Sequence, residues 1–390
     1  MNFNLKAINI IECFFVLIFS SVSVLVFSEW QPQIIAGGGF GWDGIQYAKI
    51  FSNFSSVKID AVAFPFCNRV GTPFLAHMTS IEDVALAFKV VNSVFAVMFS
   101  IVVYAIARIS GLNFYYSFFA VLLTIVPFFS PARFVPYYPV YTDPVFLVFL
   151  AVSFLFLIRN RYALSFLILA LAFPFREAAI YIAPIFLLFA IYLGGVSRFT
   201  VVGFLVAVLV MFLIRAQIQL YSGCEGAQLS TAIEWVQKRS TDPVLLVKYI
   251  SAISMTAAPL FLINRNTTLT NVEKISMAGF FFAALLAFSG GSDSTRIFYS
   301  FLPIYILAIV GVIRSVGYWF SAISLLGYVL VNSFGSKILE PLNYSPNNDL
   351  SGLFWQFPDH GRPEVAICIL FVWLLLFSFF RGFSPLWSNK

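Results

Sequence analysis

Asp43 stands in the passage "GGGFGWDGIQYAKIF" (37–51), with glycines crowded before it and Trp42 and Tyr47 on either side. A carboxylate within hydrogen-bond reach of a hydroxyl can take its proton during group transfer. Aromatic neighbours offer flat apolar faces to a substrate ring. Four other passages carry chemistry-capable charges: "FPFCNRVGTPFLAH" (Arg69, His77), "PARFVPYYPVYTDP" (Arg133, Asp143), "FPFREAAI" (Arg176, Glu177) and "GGSDSTRIFYSFLP" (Asp293, Arg296). The planar fork of arginine stabilises a departing anion better than a mobile ammonium does. Each site has a plainer reading. Asp43 would cap a helix beginning near Gly44, Arg176 and Glu177 would form a structural ion pair, and the others would be solvated charges near span ends.

These groups are held by a membrane protein. Hydrophobic residues make up 61% of the 390, charged residues 10%, and 48 residues are Phe; mean hydropathy is +0.92. Soluble domains carry roughly a quarter charged residues, so a water-facing surface cannot be built from this inventory. Net charge is +6, and the basic residues are scattered, which gives a nucleic-acid partner no support. Apolar runs of about 17–25 residues are candidate spans. The pattern predicts an all-α polytopic membrane protein with about 12 transmembrane helices: 9–28, 84–107, 113–130, 144–158, 163–175, 178–193, 199–219, 244–263, 275–289, 297–313, 318–334 and 365–380. The stretch around Arg176-Glu177 also reads as one kinked helix with a re-entrant piece. The first run carries no clear small-residue cleavage site.

Orientation follows from the basic residues of the short loops. With the N-terminus inside, inner ends and loops hold Lys6, Arg108, Arg159, Arg161, Arg198, Arg265, Lys274, Arg314, Arg381 and Lys390, against Glu273 alone, with Glu12 inside the first span. The long loops 29–83, 131–143, 220–243 and 335–364 then face outward. Residues 1–390 read as a single membrane domain with no internal repeat. The first outer loop (29–83) carries Asp43, and 335–364 is the last outer loop. All five charged passages fall on that outer side, which favours a shared pocket over five separate solvated charges.

The order of these motifs resembles the GT-C class of polytopic membrane glycosyltransferases, over roughly residues 30–310. "GWDGIQY" is similar to the aromatic-flanked Asp of that class's long first outer loop. "NRVGTPFLA" looks like its Tyr/Asn-Arg-x-x-x-Pro element, and "YTDP", "REAAIY" and "GGSDSTRIFYSFLP" continue the likeness. The resemblance implies a polyprenyl-phosphate sugar donor, a glycan or lipid acceptor, and action on the non-cytoplasmic face, as at a bacterial inner membrane facing the periplasm or exterior. On that reading Asp43 is the general base, with Asp143 the second candidate. Trp42, Tyr47, Arg69, Arg133, Arg176, Glu177, Asp293 and Arg296 then bind substrate, and Arg176 and Arg296 stand at the depth of the lipid phosphate. No paired Asp-x-Asp or Glu-x-Asp accompanies Asp43, which leaves a divalent metal cofactor open. The absence of a large soluble C-terminal domain sets the oligosaccharyltransferase branch aside. A polysaccharide polymerase or ligase using lipid-linked glycans is the alternative, and a secondary transporter a third reading that the missing repeat disfavours.

Other signals are weaker. Gly37-Gly38-Gly39 lacks the context of a dinucleotide site. His77 and His360 are too far apart for a histidine metal site, so none is assigned. Cys13 and Cys368 fall in spans and read as apolar filler. Cys67 and Cys224 both lie on the outer side, where a disulfide between them is open. The sequons Asn53-Phe-Ser and Asn343-Tyr-Ser also face outward.

Overall fold

The computed structural model describes residues 9–315, apart from 32, 35, 42, 56–61, 128, 195–196, 223–227, 258–259, 261–262, 264–266 and 291–293. Every regular element among the described residues is a helix. The predicted spans 318–334 and 365–380, and the loop 335–364, lie outside them. Contacts divide the chain into two compact units, Met1–Ile125 with Ser130–Gln228, and Val126–Phe129 with Leu229–Lys390.

The first unit is built on α4 (Val84–Ile109), a 26-residue apolar helix. The side chain of Asp83 starts it by accepting from the Leu86 amide at 2.9 Å, satisfying one of the donors that every helix start leaves open. Against α4 lie α1 (Ile10–Trp30), α3 (Gly71–His77), α5 (Phe114–Ile125), α6 (Pro131–Tyr137) and α7 (Asp143–Ile158). α2 (Gly44–Asn53) packs on α3. α7 turns back into α8 (Tyr162–Ala172), and α8 in turn packs on α9 (Ala179–Tyr192) and α10 (Arg198–Ser222).

Small and hydroxyl side chains set these approaches. The Ser153 hydroxyl donates to the Ser165 carbonyl at 2.7 Å, and the Ser165 hydroxyl returns the bond at 2.8 Å. A Cβ on Gly203 of α10 would sit 3.0 Å from the Ala163 Cα of α8. Where the surroundings are as apolar as the helices, close backbone approach and such hydrogen bonds hold helices together.

The second unit comprises α11 (Gln228–Thr241), α12 (Pro243–Ala257), α13 (Asn271–Ser289), α14 (Ser294–Tyr299) and α15 (Leu302–Ser315). α13 starts with a capping box, Thr270 with Glu273. Its Gly279 admits Ile304 of α15, where a Cβ would meet Ile304 Cγ2 at 2.3 Å. The predicted span 297–313 is broken into α14 and α15. Pro303 stands at the break because it has no N–H to continue the ladder.

Among the described residues, four helices are long and apolar enough to cross a membrane: Ile10–Glu29, Val84–Ile109, Arg198–Leu220 and Asn271–Ser289. The other predicted spans up to residue 313 coincide with shorter helices. The apolar side chains Phe199, Val202, Leu205, Leu209 and Phe212 of α10 stand exposed, as a lipid-facing stripe requires.

Candidate functional site

The first passage is shaped by close contact. Gly41 has φ +77°, and a Cβ there would lie 2.1 Å from the Tyr138 ring. The Gly44 amide donates to the Tyr138 hydroxyl at 2.7 Å. The glycines therefore seat the loop on "PYYPVY", and only a residue without Cβ fits. That second loop is fixed from α4, where Asn92, fully buried, donates to the carbonyls of Pro139 (2.8 Å) and Tyr141 (3.0 Å). The Tyr138 and Tyr141 rings stack at 5.8 Å.

Asp43 occupies the cap position of α2. Its carbonyl accepts from the Gln46 amide at 2.9 Å, but its side chain makes no capping hydrogen bond. The helix-cap reading of this carboxylate is not what the geometry provides. Asp43 is half-buried, and one turn later comes Tyr47, 2% exposed.

Tyr47 leads to the core of the site. Its hydroxyl accepts from Arg69 Nη1 at 2.9 Å, while Arg69 Nε and Nη2 grip Glu177 at 2.8 and 2.6 Å. This is a two-pronged, charge-assisted pair, with the guanidinium also 5.7 Å from the Phe66 ring. Gly71 makes the pairing geometrically feasible. Its amide donates to the Pro174 carbonyl at 2.9 Å, and a Cβ would strike Phe175 at 2.6 Å, so the loop after Arg69 lies directly on the turn before Glu177. Burial raises the Glu177 carboxyl, but Arg69 and then Arg176 outweigh it and hold the group below its ordinary value. Burial likewise opposes the Arg69 charge, and Glu177 with Tyr47 outweighs it, so Arg69 stays firmly protonated.

Arg176 turns the other way. It forms an ion pair with Asp143, the first residue of α7, and both side chains are under one-tenth exposed. The sequence neighbours Arg176 and Glu177 thus do not pair with each other: each takes a partner from a different loop. Among the nominated residues, Asp43, Tyr47, Arg69, Asp143, Arg176 and Glu177 are drawn into this region of the first unit. Arg133 is almost fully buried and lies over the Phe27 ring of α1 at 5.5 Å. Burial pulls it down to about 9, still protonated at neutral pH, and its place is in the wall of the unit. Arg296 sits on α14 in the second unit, half-buried. Trp42 and Asp293 lie outside the described residues.

Beside the charged groups opens an apolar cavity of about 430 Å³, lined by Phe54, Val70, Gly71, Phe74, Leu75, Phe149, Leu171, Pro174 and Phe175. Val70 and Gly71 adjoin Arg69, and Pro174 and Phe175 adjoin Arg176, so ionic and apolar surfaces share the same two loops. Cys67, two residues before Arg69, is disulfide-bonded; Cys224 lies outside the described residues. Among the described residues no three His, Cys, Asp or Glu side chains are placed to share a metal ion. Residues that the sequence did not nominate also matter here. Tyr138 and Asn92 position the loops, and Arg215 of α10 lies within electrostatic reach of Tyr181, as does Glu177. Arg215 is the legible one in retrospect: a charge inside the predicted span 199–219.

No family model, curated protein or solved structure matches this chain.

Proposed function

We propose that the protein is a glycosyltransferase. It moves a sugar from a polyprenyl-phosphate donor to a glycan or lipid acceptor on the non-cytoplasmic face of a membrane, a bacterial inner membrane on this reading, crossed about twelve times with both chain ends inside. The observation that carries the reading is the placement of Asp43. It is half-buried, does not cap its helix, and is one turn from a tyrosine locked by the Arg69–Glu177 pair, in a unit that also holds an open apolar cavity. Carboxylate and apolar surface together suit a reaction between a hydroxyl and a lipid-linked electrophile.

In this reaction Asp43 takes the acceptor hydroxyl's proton as its oxygen bonds to the sugar's anomeric carbon. The bond from that carbon to the phosphate oxygen breaks, and the lipid phosphate leaves with the electron pair. Glu177 and Asp143 are committed to Arg69 and Arg176, and Asp43, at the start of α2 one turn before Tyr47, is assigned as the base. Asp143 pairs with Arg176 and is second choice.

The test is Asp43→Asn in purified protein, read for donor affinity and for release of polyprenyl phosphate. Positioned proton transfer contributes roughly 10²–10⁴-fold, so turnover should fall by about that factor with donor binding and folding unchanged. Near-normal turnover in this variant removes Asp43 from the chemistry. Release of a polyprenyl diphosphate from a diphosphate-linked glycan, with none of the monophosphate, would replace transfer by polymerisation or ligation.

A further inference from the structure

Arg69 and Arg176, the two arginines of this network, each face a carboxylate. With both guanidiniums engaged, an anionic ligand is held best by a further cation.

α10 brings one. Its run from Phe199 to Ile214 is apolar apart from Thr200, and Arg215 interrupts it seven residues before the helix ends at Ser222. The side chain is half-buried. Among the described residues it has no hydrogen-bond or ion-pair partner. An arginine within a span is costly and is retained for a reason.

Its height along the unit is set by packing. Gly203 of α10 touches Ala163 of α8, and the Phe204 ring meets Phe166 at 5.6 Å, so both helices advance in the same direction from that contact. Twelve residues on, about 18 Å at 1.5 Å per residue, α10 reaches Arg215 and the other chain reaches Phe175. Arg215 therefore stands level with the turn that carries Arg176 and Glu177 and lines the apolar cavity. Two observations agree with this level: α10 packs against the turn Phe66–Asn68 that precedes Arg69, and Tyr181 lies within electrostatic reach of both Glu177 and Arg215.

We infer that Arg215 is the anion-binding residue of this site, receiving the phosphate of a lipid phosphate whose apolar chain lies along the cavity lined by Pro174 and Phe175. The choice of a lipid phosphate rests on the transfer reading above. The cation itself is assigned on geometry alone. Its planar fork can hold two phosphate oxygens at once.

The experiment uses the full chain in detergent and four probes: a polyprenyl monophosphate, the matching polyprenol, inorganic phosphate and phosphatidylglycerol. Wild-type protein should bind the polyprenyl monophosphate about tenfold or more tightly than the polyprenol, the size of one charge-assisted hydrogen bond. Arg215→Gln should erase that preference while polyprenol affinity and the unfolding temperature stay as in the wild type. Arg215→Lys should restore only part of it. Three results overturn the assignment: the preference persisting in Arg215→Gln, a large fall in that variant's unfolding temperature, or equal competition by inorganic phosphate or phosphatidylglycerol, which would mark a free-anion or bulk-lipid contact.

The two readings fail separately. If Asp43→Asn abolishes transfer while Arg215→Gln keeps the phosphate preference, Arg215 is wrong and transfer stands. A preference lost in Arg215→Gln, in a protein that releases no lipid phosphate, leaves Arg215 as the anion site and removes the transferase.

Discussion

The first unit contains ionic groups built in two different ways. In one, Glu12 of α1 takes the Tyr104 hydroxyl and faces Arg108 Nε at 3.1 Å, both from α4. All three partners belong to two long helices that would pack together anyway, and the side chains keep 17–21% exposure. In the other, Tyr47 lies on the short helix α2, Arg69 in the connection before α3 and Glu177 in the turn between α8 and α9, and the side chains of the ion pair keep only 10–13%. The second unit repeats the first kind, with Arg314 of α15 on Glu273 of α13 at 2.9 Å. A charge pair between packed helices fastens what is already in place. A charge pair between loops is what brings those loops together. The comparison predicts that the two kinds respond differently to loss of one partner.

The largest effect should come from Arg69→Met, which leaves Glu177 buried without its guanidinium. Breaking a buried pair in this way costs about 3–5 kcal/mol, read as a fall in unfolding temperature. The pH dependence should also change sign. In the wild type the Glu177 carboxyl sits below its ordinary value of 4.5. Its contribution is therefore complete above that value and is lost only as pH falls further. In Arg69→Met the orphaned carboxyl is governed by burial, which favours the protonated form, so the variant should gain stability between pH 7 and 5. A variant as stable as the wild type, or one flat across that range, would show that the loops hold without the pair.

A smaller loss belongs to Gly41→Ala. The left-handed backbone and the Cβ contact with Tyr138 should together cost about 1–3 kcal/mol. Tyr138→Ala in the same chain should recover the steric part but not the backbone part. Full recovery would mean that φ +77° carries no strain, and no loss in the single variant would mean that the loop does not rest on Tyr138.

The smallest effect is expected at Glu12→Gln. The amide still accepts from Tyr104, Arg108 keeps access to solvent, and α1 stays on α4 through its apolar contacts, among them Val16 and Val24. The loss should be about 1 kcal/mol or less, with turnover within twofold of the wild type. A loss as large as that of Arg69→Met would erase the distinction between the two ionic groups.

Composition alone settled that the chain is helical and belongs to a membrane, because a 61% hydrophobic inventory has no other solvent to face and leaves backbone hydrogen bonds to be closed within each helix. Run lengths placed the apolar helices between Ile10 and Ser289 closely, while α2, α3, α6 and α11 fell in stretches read as loops and 297–313, read as one span, is two helices. The nominated charges were also legible, as polar interruptions in apolar text. Their partners were not. Arg176 and Glu177 are adjacent, and local reading pairs them. Yet Arg176 meets Asp143 and Glu177 meets Arg69, because the turn between α8 and α9 aims successive side chains at different loops. Arg215 shows the same limit from the other direction. In sequence it is a flaw in a span, and it becomes a candidate ligand only because Gly203 seats α10 on α8 and brings it level with that turn. Which residues would be buried follows from residue type; which of them meet depends on how the helices pack, and that information is spread over glycines and small side chains far from the charges themselves.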